Sequence, residues 1–570
     1  MLSYIQYHLP TSSNAECIPA GVEVVDELLQ RLSNTPRHAM WGQLLSFAQH
    51  DGITTVKSLE IYEAALRCFP STPALQVAHI KKALCSNSNY TPEQIMNFFD
   101  SYLKQPSVAI CTLYVSFVRD QFRTSSIQET YRLVLNLVGQ EYESHELWTQ
   151  YLDLLEQEGD RQALRKALYE VVKIPTKSLP HFWTRLQHFE RSGSGETQDF
   201  GPIFPAHTRA LIARHQIEHY TELLYPPPVA GPHYAGLCGD TLLLPASPIA
   251  SFSDGQLVQH WEAYLRWEES DPLKLKESNM AAYIQQLQSA YHKGSVRLRF
   301  CPELWYMEYK WWNSIGRDTK AIDRLQEGIE ANKASVLMNL ALADALEARG
   351  DLPSAARVYK ELLHVITTSL DLDSIALIRP IDVSKDLTVV YLMLMRFTYR
   401  TQGVPPAQFL VGHSANGPSI PCLVYEEAAR MEIDCGGSKA SALQVFEAGM
   451  LYYSNDRDFL VSYLGWLISV NKRNFACGLF ESASAKFSPS DAAPIWDLWS
   501  RYMYRCGDLE SIQQLERRMA KIYGSVDLRL SLAQLLGGCF TFTRDVTKSG
   551  VAGMNSSSAQ AEKARHCTRY

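Results

Sequence analysis

Through most of the chain apolar residues recur at i, i+3, i+4 and i+7, and no alternating β-branched run competes with them, so the pattern predicts helix almost throughout. Two helix types alternate. The first opens with an aromatic residue or leucine, carries another three residues on, and usually has an acid near the seventh or eighth position. Residues 147–160 (LWTQYLDLLEQEGD), 182–190 (FWTRLQHFE), 260–272 (HWEAYLRWEESDP), 304–312 (LWYMEYKWW) and 495–508 (IWDLWSRYMYRCGD) are the clearest copies. The second type is rich in alanine, other small residues and Tyr or Phe. It is seen in residues 54–70 (TTVKSLEIYEAALRCFP), 161–175 (RQALRKALYEVVKIP), 352–366 (LPSAARVYKELLHVI), 438–454 (SKASALQVFEAGMLYYS) and 473–489 (RNFACGLFESASAKFSP).

The turn joining the two types is written as Gly-Asp at Gly159-Asp160, Gly350-Asp351 and Gly507-Asp508. The expectation is that Gly closes the first helix in the left-handed conformation, where it meets no steric penalty, and that Asp caps the second. Pro70, Pro175 and Pro489 follow helices of the second type and stop them. Matching positions lie 35 residues apart from Trp148 to Trp183 and 36 from Tyr463 to Trp499. Such a period with two helices per unit predicts an all-α fold, an α-solenoid of HAT/TPR-like helix pairs.

The array reads as two blocks. Residues 1–225 form an N-terminal block of about five repeats, and residues 256–525 a C-terminal block of about six. Between them, residues 226–255 are rich in Pro and Gly and read as a linker. Residues 401–421 (TQGVPPAQFLVGHSANGPSIP) read as a long loop interrupting the second block, and residues 526–570 as a short disordered tail.

Composition narrows the function classes. A net charge of −7 is the wrong sign for a protein that coats nucleic acid. Twelve cysteines are scattered from Cys17 to Cys567 with no C-x-x-C, which argues against a zinc ribbon or a disulfide framework and suits a reducing compartment. The first residues lack the charged and apolar regions of a secretory signal. The most apolar run, 459–470 (FLVSYLGWLISV), is too short to span a bilayer, so the expectation is a soluble intracellular chain without membrane contact.

Candidate chemistry is sparse. Residues 215–219 (HQIEH) match H-x-x-E-H, in which His215 and His219 share a helix face and could hold zinc while Glu218 acts as general base. No third ligand can be picked out, and the flanking sequence reads as a surface helix. Residues 412–417 (GHSANG) miss the nucleophile elbow because Asn416 stands where the second glycine belongs. Residues 435–441 (CGGSKAS) lack the spacing of a phosphate loop and read as an inter-helix turn, as does the RGD within residues 348–352. No catalytic, cofactor-binding or metal-ligand set is read from the sequence.

Residues 261–273 (WEAYLRWEESDPL) concentrate two tryptophans, a tyrosine and four acids. At helical spacing Trp261, Tyr264 and Glu268 fall in a stripe about 60° wide, with Trp267 at its edge. The expectation is that these aromatics pack on the small residues of the following helix, and that the acid bonds a neighbouring turn or arginine. The recurrence of the arrangement favours repeat packing over a pocket. The packing residues named on this basis are Trp148, Tyr151, Trp183, Trp261, Tyr264, Trp267, Glu268, Pro272, Trp305 and Trp496.

With these residues in view, the chain resembles HAT (half-a-TPR) proteins, and more narrowly the suppressor-of-forked family, the HAT-repeat subunit of cleavage stimulation factor. Trp261, Tyr264, Trp267, Glu268, Pro272 and Leu273 match the segment that opens that family's C-terminal block, with Asp271 where the family often has Asn. Residues 300–312, 387–403, 442–483 and 495–519 resemble the later repeats in order and spacing, the last most closely. The resemblance implies a non-enzymatic nuclear scaffold for pre-mRNA 3′-end cleavage and polyadenylation. It implies a homodimer through the C-terminal block, with the RNA-recognition-motif subunit of cleavage stimulation factor and subunits of the cleavage and polyadenylation factor as partners, and RNA contacted mainly through them. The family's longer C-terminal tail captures the RNA-binding partner; here a reduced segment such as residues 527–536 would have to serve. The alternatives are a HAT scaffold of the spliceosome or of ribosomal RNA processing and, from another class, a zinc hydrolase using His215, Glu218 and His219.

Overall fold

The computed structural model describes Leu29 and residues 38–49, 55–84, 90–121, 127–193, 200–225 apart from 202, 252–368, 383–414 and 420–523. The expected disordered tail, most of the expected linker (226–251) and the chain's first residues lie outside this set.

Among the described residues every regular element is helical, as the hydrophobic period predicts. The α-helices are α1 (His38–Gln49), α2 (Thr55–Cys68), α3 (Pro73–Ala83), α4 (Pro92–Tyr102), α5 (Val108–Gln121), α6 (Ile127–Val138), α7 (His145–Glu158), α8 (Arg161–Val171), α9 (Leu179–Gly193) and α10 (Phe204–Leu224). They continue with α11 (Phe252–Glu269), α12 (Leu275–Ser278), α13 (Met280–Arg297), α14 (Pro302–Ser314), α15 (Asp318–Ala331), α16 (Val336–Ala348), α17 (Leu352–Thr368) and α18 (Val383–Gln402). The last are α19 (Pro406–Ser414), α20 (Cys422–Asp434), α21 (Lys439–Tyr453), α22 (Arg457–Ser469), α23 (Arg473–Lys486), α24 (Pro489–Cys506) and α25 (Leu509–Tyr523). The chain divides into two compact units, residues 1–390 and 391–570. The expected linker region therefore falls inside the first unit, and its last four positions, 252–255, are already the first turn of α11.

Consecutive helices pack as pairs, and the turns between them show why the sequence folds this way. Gly159 and Gly350 adopt φ +75° and +80°, and Asp160 and Asp351 accept from the backbone N–H three residues on. The third Gly-Asp departs from expectation. Asp508 still caps α25 by accepting from Ser511 N–H, but Gly507 is extended at φ −85°. Glycine is required there for closeness rather than handedness, because a Cβ would lie 2.6 Å from the Met503 carbonyl oxygen. The Gly pair of residues 435–441 is an inter-helix turn as read, with Gly436 at φ +82° and Ser438 capping α21.

Residues 401–421 differ from the sequence reading more substantially. They were expected as a loop, yet α19 occupies nine of these positions and buries Phe409 and Leu410. The Pro-Pro that signals a loop instead places Pro406 at the start of the helix, where its missing N–H costs nothing.

Small residues on the second helix of a pair receive the large side chains of the first. A Cβ on Gly294 of α13 would come within 3.3 Å of the Trp261 ring. On Gly328 of α15 it would come within 2.8 Å of the Trp305 ring, and on Gly449 of α21 within 3.3 Å of the Tyr425 ring of α20, with the Phe459 ring of the following helix α22 closer still at 2.6 Å. At these glycines the missing side chain leaves room for the neighbouring helix's ring.

Candidate functional site

The segment 261–273 lies on α11 and the turn after it. Trp261 is buried at 1% exposure in a cluster with Leu257, Leu265, Tyr291 and Leu304. Its ring meets Tyr225 and Tyr264 edge-on, with centroids 6.2 and 5.9 Å away. Tyr264 and Trp267 are half-buried, and both contact Tyr220 of α10. Asp271 adopts φ +56°, a conformation that Asp and Asn tolerate better than other residues. Its carboxylate accepts from the N–H groups of Leu275 and Lys276, capping the short α12. Pro272 is half-buried, and Leu273 inserts among Leu179, Ala210 and Ala213 of α9 and α10. The Asp-Pro-Leu ending is thus a turn that docks α11 onto the preceding helices.

Glu268 is 3% exposed. It accepts from the Tyr264 hydroxyl at 2.8 Å and from the Gln286 amide at 2.8 Å. The expected arginine or turn is not its partner. Burial raises its carboxyl to about 7, outweighing the two hydrogen bonds that favour the ionised form. Acids on two other helices of the first type do meet arginine: Glu190, seven residues after Trp183 as Glu268 is after Trp261, and Glu308, one turn earlier in its helix at three residues after Trp305. Glu190 of α9 takes both oxygens to Arg165 of α8, at 2.7 and 3.3 Å. Glu308 of α14 takes both to Arg324 of α15, at 2.7 and 3.0 Å, and the guanidinium lies 4.9 Å from the Trp305 ring centroid. In the first pair a second-type helix precedes the acid and in the second it follows, so the contact serves packing within and between repeats. Glu268 holds the same position as Glu190 without its cation.

A raised carboxyl pKa favours the folded state most below the free value of 4.5, and that contribution is lost as pH rises through about 7. Moving the equilibrium that far corresponds to about 3 kcal/mol. Glu268→Gln keeps both hydrogen bonds once the Gln286 amide flips. It is expected to stabilise the first unit by about 2 kcal/mol at pH 8 and to lose that advantage near pH 5. Urea unfolding at the two pH values reads the difference; an equal effect at both would contradict the burial argument.

A third ionic contact fixes α13 to the turn after α6. Lys293 lies 2.9 Å from Glu141, which also accepts from Ser289 at 2.8 Å. Burial works to lower the lysine's pKa, but the Glu141 carboxylate more than offsets it and raises it. Gln285 donates to the Leu137 carbonyl at 3.0 Å.

The other named residues are placed as follows. Trp148 is buried and donates to the Gly139 carbonyl at 2.9 Å, and Tyr151 is buried beside it. Trp305 is buried and donates to the Arg299 carbonyl, and Trp496 is buried against Phe480. Trp183 is half-buried, stacked on His207 at 4.1 Å. In the H-x-x-E-H string, His215 and His219 are exposed, and Glu218 faces Arg214 at 3.7 Å. Among the described residues no group of three His, Cys, Asp or Glu is placed to hold a metal ion. Ser414 ends α19 rather than crowning a strand-to-helix turn. No helix of the described residues is long and apolar enough to cross a membrane. Sequence reasoning missed Arg165, Arg324, Gln286, Glu141 and Lys293. Arg165, Arg324, Gln286 and Lys293 lie on helices of the second type among other polar residues, and Glu141 lies in the turn after α6, so nothing in the sequence singles them out.

These features define a class of protein, a helical-repeat array whose buried polar groups join one helix to the next. The profile described as suppressor of forked protein (Suf) matches residues 23–535, and the chain belongs to that family. The mRNA 3′-end-processing protein RNA14 of Cryptococcus neoformans is 26% identical over 467 residues, covering 70% of this chain and 42% of its own length. The Schizosaccharomyces pombe protein of the same name is 23% identical, with 81% of this chain and 66% of its own covered. Cleavage stimulation factor subunit 77 of Arabidopsis thaliana is 23% identical, with 80% and 60% covered. The chain thus spans between about two fifths and two thirds of these relatives' lengths. A crystal structure of CstF-77 superposes with a TM-score of 0.54 at 15% identity, over 84% of this chain and 93% of that one, and shares the fold.

Proposed function

We propose that this chain is a non-enzymatic scaffold subunit of the pre-mRNA 3′-end cleavage and polyadenylation machinery, acting in the nucleus. The observation that carries the reading is the family match over residues 23–535, with relatives named for mRNA 3′-end processing and for cleavage stimulation factor. The site geometry supports a scaffold because the buried acids of these first-type helices are engaged in packing: Glu190 and Glu308 by arginine, Glu268 by Tyr264 and Gln286.

In this reading the repeats hold an RNA-recognition-motif subunit and cleavage and polyadenylation factor subunits, including an endonuclease, and the C-terminal block (256–525) pairs with a second copy. RNA is held mainly by those partners, in keeping with the net charge of −7. The ten residues named above, eight aromatics with Glu268 and Pro272, build the repeats rather than touch a substrate. Purifying the tagged chain with its bound proteins and identifying them by mass spectrometry tests the proposal. Recovery of 3′-end-processing subunits is the expected result; spliceosomal or ribosomal-RNA-processing subunits in their place would overturn it.

A further inference from the structure

A groove of about 600 Å³ runs along the first unit, lined by residues of α3, α5, α7 and α10 and of the turns before α7 and α9. Its floor is aliphatic, with Val77, Val108 and Leu113, and Ala109 stands exposed at its edge. Its rim carries Glu143, Glu146, Glu218 and Glu222 against Lys81 and Lys177. Two of the four carboxylates have a structural explanation. Glu146 sits in the first turn of α7, where a negative charge meets the helix's positive end, and Glu218 faces Arg214 at 3.7 Å. Glu143 and Glu222 are exposed and make no hydrogen bond or ion pair among the described residues. In the wall, Nδ1 of His145 is buried with no hydrogen-bond partner among the described residues.

We infer that this groove is a docking site for a cationic peptide segment of another protein, one carrying arginine or lysine side chains between aliphatic ones. Aliphatic side chains would cover the floor while the cations meet Glu143 and Glu222, and a polar group of the segment would satisfy His145. A nucleic-acid backbone is excluded by the sign of the rim. The nearby segment 226–251, which continues from α10, is a poor occupant because Asp240 is its one charged residue. The inference goes beyond the proposed function and stands on the groove alone.

The test is fluorescence anisotropy with the full chain and a short labelled peptide of arginine and leucine, with its glutamate-for-arginine counterpart as control. The arginine peptide is expected to bind and the glutamate peptide to fail. Glu143→Lys with Glu222→Lys is expected to weaken binding about tenfold or more, and Ala109→Trp, which fills the groove without altering charge, to weaken it similarly. Glu158→Lys with Glu170→Lys, an equally exposed pair elsewhere on the unit, should leave it unchanged. Equal losses from both charge reversals would mean general attraction to an acidic surface and would overturn the inference. So would a peptide of residues 538–570 being held where the arginine–leucine peptide is not, since the occupant would then be this chain's own tail. Circular dichroism establishes that each variant is folded before its affinity is read.

Discussion

Trp261→Ala is expected to destabilise the first unit by about 3–5 kcal/mol, the range for removing a large aromatic side chain from a packed core. The ring is 1% exposed, and it lies over Gly294, which has no side chain to move into the space left behind. Tyr225 and Tyr264 meet it edge-on and lose that contact. With little chance to collapse, the cavity should persist and put the cost in the upper part of the range. Trp261→Phe should cost less, and adding Gly294→Leu to Trp261→Ala should recover part of the loss by filling the space from the other helix. Urea unfolding followed by far-ultraviolet circular dichroism measures each. Unchanged stability combined with loss of partner binding would mean that Trp261 belongs to a contact surface and that the packing reading is wrong.

Arg324→Met is expected to be comparably severe. It leaves Glu308, 2% exposed, as a buried carboxylate with the Trp312 N–H at 3.4 Å as its remaining side-chain donor. Breaking a buried ion pair from one side costs about 3–5 kcal/mol, because the remaining charge is neither solvated nor paired. The double variant Arg324→Met with Glu308→Met should recover most of the loss, since replacing both charges removes the desolvation penalty as well as the attraction. Acidification should narrow the gap between the single variant and the parent as the orphaned carboxyl takes up a proton. A gap that ignores pH, or a double variant no better than the single, would contradict the electrostatic explanation.

The same residues show how far the sequence could be read. The helices and their pairing were legible because a repeating unit writes its period many times, and Trp148 and Trp305, in the first turns of their helices, and Trp261, midway along α11, are all buried. Turn chemistry was legible at Gly159 and Gly350, where handedness selects glycine, but not at Gly507, where the constraint is the distance to a carbonyl in three dimensions. Helix α19 was hidden because Pro405-Pro406 and two nearby glycines look like a loop, and burial of Phe409 and Leu410 decides otherwise. The acid partners were the least legible. Arg165 and Arg324 lie 25 and 16 residues from the carboxylates they meet, on either side in sequence, so no fixed spacing announces them. Nothing in the string around Glu268 says that Gln286 stands where an arginine could have been. Its perturbed proton is a consequence of packing, visible only once the helices are assembled.

The central claim is that this chain contributes architecture and not chemistry to 3′-end formation, and cleavage of a pre-mRNA substrate in nuclear extract depleted of it is the most direct measurement. Cleavage should fall on depletion and return when the chain is added back. Glu268→Gln, and His215→Ala with His219→Ala, should restore it as fully as the parent, because none of these side chains has a reaction to perform. Undiminished cleavage after depletion, or a folded variant of these residues that joins the complex yet fails to restore cleavage, would contradict the account.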